Sequence, residues 1–190
     1  MYITISGDPG SGKTTLGKSL AKIFNCPFIS VGNTRRGLAS QKGLTLAEYN
    51  RLGEDDPSTD IEVDNKIRQE ALAHNVAIIE GRVQFKNIPE SYKIFLKTDT
   101  KKAAQRIWKD IIEKKRESES EFKSEEEIIK SLIERKKSDM FRYQKYYNGL
   151  DFTAESNYDY VLDATSLTNE EALTLVLEQL AKNGYTPKTA

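Results

Sequence analysis

The chain has one cysteine, one histidine and no net charge, with 29 lysines and arginines against 29 aspartates and glutamates in 190 residues. Each scarcity excludes something. Cys26 cannot form an internal disulfide, and its place in an apolar stretch ahead of a strand makes it core filler in a reducing compartment. His74 stands near a helix end, a surface or capping position rather than a catalytic one. Without an excess of basic residues a nucleic-acid partner is not expected. No apolar run approaches the roughly 20 residues that cross a bilayer, and no basic-then-apolar leader precedes the first strand. A soluble, cytoplasmic, monomeric protein with no membrane partner is the expectation. There is no internal repeat, linker or second domain, so residues 1–190 are read as one domain with room for a genuine core.

What is present is a regular alternation. Tyr2–Ser6, Pro27–Val31, Val76–Glu80, Tyr92–Leu96 and Tyr160–Asp163 read as short buried strands, with amphipathic helices between them. Thr45-x-x-Glu48, Ser124-x-x-Glu127 and Thr168-x-x-Glu171 have the pattern of capping boxes. Leu173, Val176, Leu177 and Leu180 form one apolar stripe, and Ala104, Ile107, Trp108 and Ile111 another. Alternating strands and helices predict right-handed βαβ units, hence an α/β fold with a five-stranded parallel sheet covered by helices on both faces.

The first strand runs directly into Gly7-Asp8-Pro9-Gly10-Ser11-Gly12-Lys13-Thr14-Thr15, and a helical pattern through Leu16, Leu20, Ile23 and Phe24 follows. This is the Gly-x-x-x-x-Gly-Lys-Thr phosphate loop in its strand–loop–helix setting. The glycines let successive backbone N–H groups face inward toward the positive end of the helix. Lys13 supplies a charge for the β- and γ-phosphates, and the Thr14 hydroxyl is placed to ligate Mg²⁺. ATP or GTP binding follows. A switch GTPase does not, because the one Asn-Lys pair, Asn65-Lys66, continues Ile67-Arg68, and no aspartate is followed by glycine three positions later.

Two polar segments interrupt the scaffold, Gly32–Asn75 and residues 109–157, both on the carboxyl side of strands, where ligands bind. Arginines mark these flaps: Arg35 and Arg36 at the start of the first, Arg82 after the third strand, and Arg135 and Arg142 two helical turns apart in the second. A guanidinium is suited to phosphate oxygens, and such a cluster fits an enzyme gripping two phosphorylated substrates.

The phosphate loop, Ile29-Ser30-Val31-Gly32-Asn33-Thr34-Arg35-Arg36, Tyr49-Asn50, Glu54-Asp55-Asp56-Pro57, Asp60, Asp64, Glu80-Gly81-Arg82 and the stretch Arg135 through Arg142-Tyr143 stand in one order along the chain. In that order the chain resembles the compact archaeal-type branch of the cytidylate kinases, within the nucleoside monophosphate kinases. The resemblance implies a three-layer phosphate-loop NTPase fold with a monophosphate-binding insertion at 32–75 and a lid at about 109–157. It implies ATP and Mg²⁺, and CMP or dCMP as acceptor. Gly7 through Thr15 would bind ATP; Lys13, Arg82, Arg135 and Arg142 would be catalytic; Ser30, Arg36, Asp60, Asp64, Arg82, Arg135 and Arg142 would hold the substrate. Arg106 is either another family basic position or the partner of a neighbouring acid. Asp60 and Asp64 share a helix face and can accept from an exocyclic amine, although Asp64 is also spaced to pair with Arg68.

The chain departs from the family where Asn33 replaces an aspartate, where Val83 occupies the place of the bacterial base-reading aspartate, in the longer lid and at Asp110. A kinase for AMP, UMP or a non-nucleotide acceptor, or a nucleotide-binding regulator without turnover, remain the alternatives.

Overall fold

β-branched and aromatic residues fill the runs that become strands, and the computed structural model, which describes residues 1–113 and 122–187, places all five in one sheet. The elements run β1 (Tyr2–Gly7), α1 (Lys13–Ile23), β2 (Phe28–Ser30), α2 (Val31–Gln41), α3 (Leu46–Asp55), α4 (Ser58–Leu72), β3 (Ala77–Glu80) and α5 (Gln84–Asn87). They continue with β4 (Tyr92–Lys97), α6 (Thr100–Ile112), α7 (Glu125–Tyr146), a 3₁₀ turn at Glu155–Asn157, β5 (Tyr160–Asp163) and α8 (Asn169–Lys182). The expected strand boundaries hold to within a residue or two.

The strand order is β2-β3-β1-β4-β5, and every pair is parallel. Ile3 lies opposite both Ile78 and Tyr92, so β1 is central and buried on both faces. Its polar residues are satisfied internally: Ser6 Oγ donates to the Gly81 carbonyl at 2.8 Å, and Thr4 Oγ1 and Ser91 Oγ are 2.9 Å apart. Successive residues of β3 serve opposite layers, as the pleat requires. Ile78 packs with Leu16 and Leu20 of α1 and with Val176 and Leu180 of α8. Ile79 packs with Tyr49, Val63 and Ile67 from α3 and α4. A third cluster joins Ala103, Ala104 and Ile107 of α6 to Ile128 and Leu132 of α7. Cys26 is half-buried against the first of these cores.

Two capping boxes form as the sequence predicts, at Thr45 with Glu48 and at Thr168 with Glu171. The third differs. Ser124 Oγ accepts the Glu127 N–H, but the Glu127 carboxylate reaches past it to the N–H of Lys123. His74 is exposed just beyond α4, with its carbonyl accepting from the Tyr2 hydroxyl. Residues 114–121, part of the charged run expected in the lid, lie outside the described residues. Among the described residues no helix is long and apolar enough to cross a membrane.

β1 borders β3 on one side and β4 on the other, so the chain changes direction across the sheet at the carboxyl end of β1. That crevice is where open α/β sheets bind ligands.

Candidate active site

The loop leaving β1 is shaped by backbone demands that only glycine meets. At Gly7, φ is 149° and a Cβ would come within 2.3 Å of the Leu96 carbonyl oxygen, so any side chain would push β1 away from β4. Gly12 takes a left-handed conformation as the residue that opens α1, turning the first N–H groups of the helix toward the crevice. No acidic residue stands in the first turn of α1, leaving its positive end unopposed.

A cavity of about 380 Å³ opens over this loop. Gly10, Gly12, Lys13, Thr14 and Thr15 form its floor. Ser30, Arg36, Glu80 and Arg82 line it from the β2 and β3 side, and Arg135 from α7. Of the residues expected from sequence, the structure therefore brings together Lys13, Thr14, Ser30, Arg36, Arg82 and Arg135. Lys18 adds a fifth cation, against the carboxylates of Glu80 and Asp110. Arg36 is exposed and its Nη2 donates to Asn33 Oδ1 at 2.6 Å. Asn33 thus keeps the acceptor that an aspartate would offer while leaving one more positive charge in the site.

Lys13 is almost wholly buried, and its Nζ donates to the Asp8 carbonyl at 2.7 Å. Burial is the main cause that lowers its pKa to about 7; Arg82 and Arg135 push the same way, while Glu80 and Asp8 oppose. A polyphosphate arriving at Nζ would supply the missing counter-charge and raise that pKa. Well below pH 7 Lys13 is already protonated and binding takes up little; above it, binding must recruit a proton, and affinity falls as pH rises. Titration calorimetry with ATP near pH 8, in buffers of different ionisation enthalpy, should register uptake approaching about one proton. Heats independent of buffer would contradict this.

Arg142 has a different setting from Arg135. It is 2 % exposed and lies within an alternating row of charges. Arg35 Nη1 meets Asp60 Oδ1 at 2.6 Å, Arg142 Nη1 lies 2.8 Å and 2.9 Å from the two Asp60 oxygens, Arg142 Nη2 is 2.5 Å from Asp139 Oδ1, and Asp139 Oδ2 is 2.7 Å from Arg82 Nε. Burial would push the Asp139 carboxyl up, but Arg82, Arg142 and Arg135 together hold it below its usual range. The row joins α2, α4 and α7 to the strand end that carries Arg82. Asp139 was not anticipated from sequence, although its spacing, four residues after Arg135 and three before Arg142, puts it between two arginines on one helix. Glu80 stands in sequence only within the Glu80-Gly81-Arg82 motif; in the structure its carboxylate accepts the Ser30 hydroxyl at 2.7 Å.

Helix α7 also reaches elsewhere. Lys136 Nζ meets Asp8 Oδ1 at 2.7 Å, tying α7 to the phosphate loop. Ser138 donates to the Glu54 carboxylate at 2.5 Å, and Lys145 and Tyr146 donate to the Glu54 carbonyl at 2.7 and 2.8 Å, tying α7 to α3. A second cavity, about 420 Å³, lies between α4 and the end of α7, with Asp60, Asp64, Asn65, Tyr146 and Tyr147 in its wall. Arg68 does not pair with Asp64; its Nη1 donates to the Asn87 carbonyl. Among the described residues Arg106 pairs with no acid either, its Nη2 reaching the carbonyls of Ala164, Thr165 and Leu167 at 2.9–3.0 Å.

Among the described residues no group of three or more histidine, cysteine or acidic side chains gathers as a metal cage. The Thr14 hydroxyl and the Glu80 carboxylate, both on the cavity wall, nevertheless fit Mg²⁺, which takes one or two protein oxygens and fills its remaining positions with phosphates and water.

Residues 6–129 match a family described as an AAA domain. A cytidylate kinase of Methanococcoides burtonii is 36% identical over 165 residues, covering 87% of this chain and 88% of the relative. An S-adenosylmethionine-dependent nucleotide dehydratase of Lacinutrix mariniflava is 33% identical over 187 residues, taking in 98% of this chain but 37% of that protein. Among solved structures, shikimate kinase from Bacteroides thetaiotaomicron superimposes with a TM-score of 0.61 at 20% identity, covering 95% of this chain and 98% of the other.

Proposed function

The chain belongs to the cytidylate kinases and is a nucleoside monophosphate kinase; from that premise we propose that it moves the γ-phosphoryl group of ATP to CMP or dCMP, with Mg²⁺. The observation that carries this reading is the ring of Lys13, Arg36, Arg82 and Arg135 around one cavity at the start of α1. These cations come from the phosphate loop, the first insertion, the end of β3 and the lid. A triphosphate and a monophosphate meeting phosphate to phosphate need charge cancelled from several sides at once.

In this reading Gly7 through Thr15 hold ATP, Thr14 with Glu80 holds Mg²⁺, and Arg36 with Ser30 and Arg82 takes the acceptor phosphate. Arg135 spans both substrates, and Arg142 with Asp60 supports the acceptor side through the buried row of charges. Mg²⁺, when bound, adds further positive charge to the β- and γ-phosphates. An oxygen of the acceptor phosphate attacks the γ-phosphorus, and the bond to ADP breaks. That oxygen is already anionic at neutral pH, so no general base is needed, and catalysis is alignment with charge neutralisation.

A panel of AMP, CMP, dCMP, UMP, GMP and shikimate, followed by ADP release from ATP, tests the assignment. CMP or dCMP should give the highest kcat/KM. A panel in which AMP or shikimate leads, or in which no acceptor stimulates ADP release, would overturn it.

A further inference from the structure

Resting on the assignment of a pyrimidine monophosphate as acceptor, we propose that the cavity between α4 and the end of α7 holds the base, and that Tyr147 and Gln84 make Asp64 a reader of the 4-amino edge of cytosine. Its size, about 420 Å³, falls in the ordinary range for a small-molecule pocket, and its wall combines two tyrosine rings with two carboxylates. The buried charge row runs from Arg82, in the phosphate cavity, to Asp60 in this wall, so the two cavities flank one connected structure.

The two carboxylates are not equivalent. Both Asp60 oxygens are taken by guanidinium groups, Oδ1 by Arg35 and Arg142 and Oδ2 by Arg142. Asp64 receives neutral donors instead: Gln84 Nε2 at 3.0 Å on Oδ1 and the Tyr147 hydroxyl at 2.5 Å on Oδ2. A carboxylate oxygen offers two lone-pair sites, so each Asp64 oxygen keeps one to give. Burial pushes the Asp64 carboxyl up, and the Tyr147 and Gln84 hydrogen bonds work against that, favouring the ionised acceptor.

The direction of every hydrogen bond in this group is fixed. Asn87 Nδ2 donates to Gln84 Oε1 at 2.9 Å, which leaves the Gln84 nitrogen to face Asp64. Gln84 is 1 % exposed and cannot turn outward. The Tyr147 ring lies under Lys86 Nζ, 4.7 Å from its centroid, and edge-on to Tyr143 at 5.7 Å, so its hydroxyl is aimed in advance. Asp64 therefore faces the cavity with spare acceptor sites and no donor of its own. Cytosine offers an amine at this edge, whereas uracil offers a carbonyl oxygen that would face the carboxylate lone pairs. Gln84, at the start of α5, supplies the support for a carboxylate on a different helix, α4.

Gln84 and Tyr147 are positioning residues here, and the test is a ratio rather than a rate. The ratio of kcat/KM for CMP to that for UMP should fall on the order of 100-fold in Asp64→Asn, whose amide can turn its NH₂ toward O4. In Tyr147→Phe it should fall about tenfold. Because contacts to the base are the same in ground and transition states, the change should appear in KM with kcat nearly constant. Tyr147→Phe keeps the ring and its packing, so it answers the question even if Asp64→Asn unfolds. If the wild type prefers CMP but Tyr147→Phe loses equally on both acceptors, the base assignment fails while the cytidylate reading stands. A wild type with no CMP turnover removes both, and that result is read before any variant is made.

Discussion

Lys13→Ala is expected to lower kcat by about 10²- to 10³-fold, the usual consequence of removing a preorganised charge from a site where negative charge develops. The geometry makes the loss hard to compensate. Lys13 leaves the first turn of α1, sits almost wholly buried beside Asp8 and Ser11, and has Arg82 and Arg135 near enough to depress its pKa. The core contacts of α1 run through Leu16 and Leu20 on another part of the helix, so the variant should fold. Steady-state kinetics with a thermal melt check this; near-normal turnover in a folded variant would take the phosphate loop out of the chemistry.

Arg142→Ala is expected to act first on stability. The sequence suggests a lid arginine whose loss mainly lowers kcat, but the side chain is buried between Asp60 and Asp139. Removing it strips one of the two guanidinium partners from each carboxylate in the interior. Breaking a buried pair in this way costs about 3–5 kcal/mol. For a chain of this size that corresponds to a fall of roughly 6–20 °C in Tm. Arg142→Lys should recover only part of it, because an ammonium cannot span both carboxylates as a guanidinium does. Calorimetry decides the point: an unchanged Tm with collapsed kcat would mean that Arg142 works on substrate alone.

Local features were the legible ones. The phosphate loop, the strands and the capping boxes at Thr45 and Thr168 are each specified within a few consecutive residues, and each forms where the pattern places it. The arginines were legible as a set but not in their separate settings. Arg36, Arg82 and Arg135 open into the phosphate cavity, while Arg35 and Arg142 converge on Asp60, a carboxylate 25 and 82 positions away respectively. No periodicity in the chain reports a contact of that separation. The same holds for Tyr147, which meets Asp64 across 83 positions, so the different partners of Asp60 and Asp64 cannot be read from local spacing. At Ser124 the difference is one residue, because the Glu127 side chain can satisfy either of two adjacent N–H groups and takes the earlier one.

The most direct test follows the phosphoryl group itself. With ATP labelled in the γ-phosphate, CMP and Mg²⁺, label should appear in CDP, with unlabelled ADP formed in equal amount and little transfer when CMP is left out. Label appearing only as inorganic phosphate, or passing to AMP in preference to CMP, would contradict it.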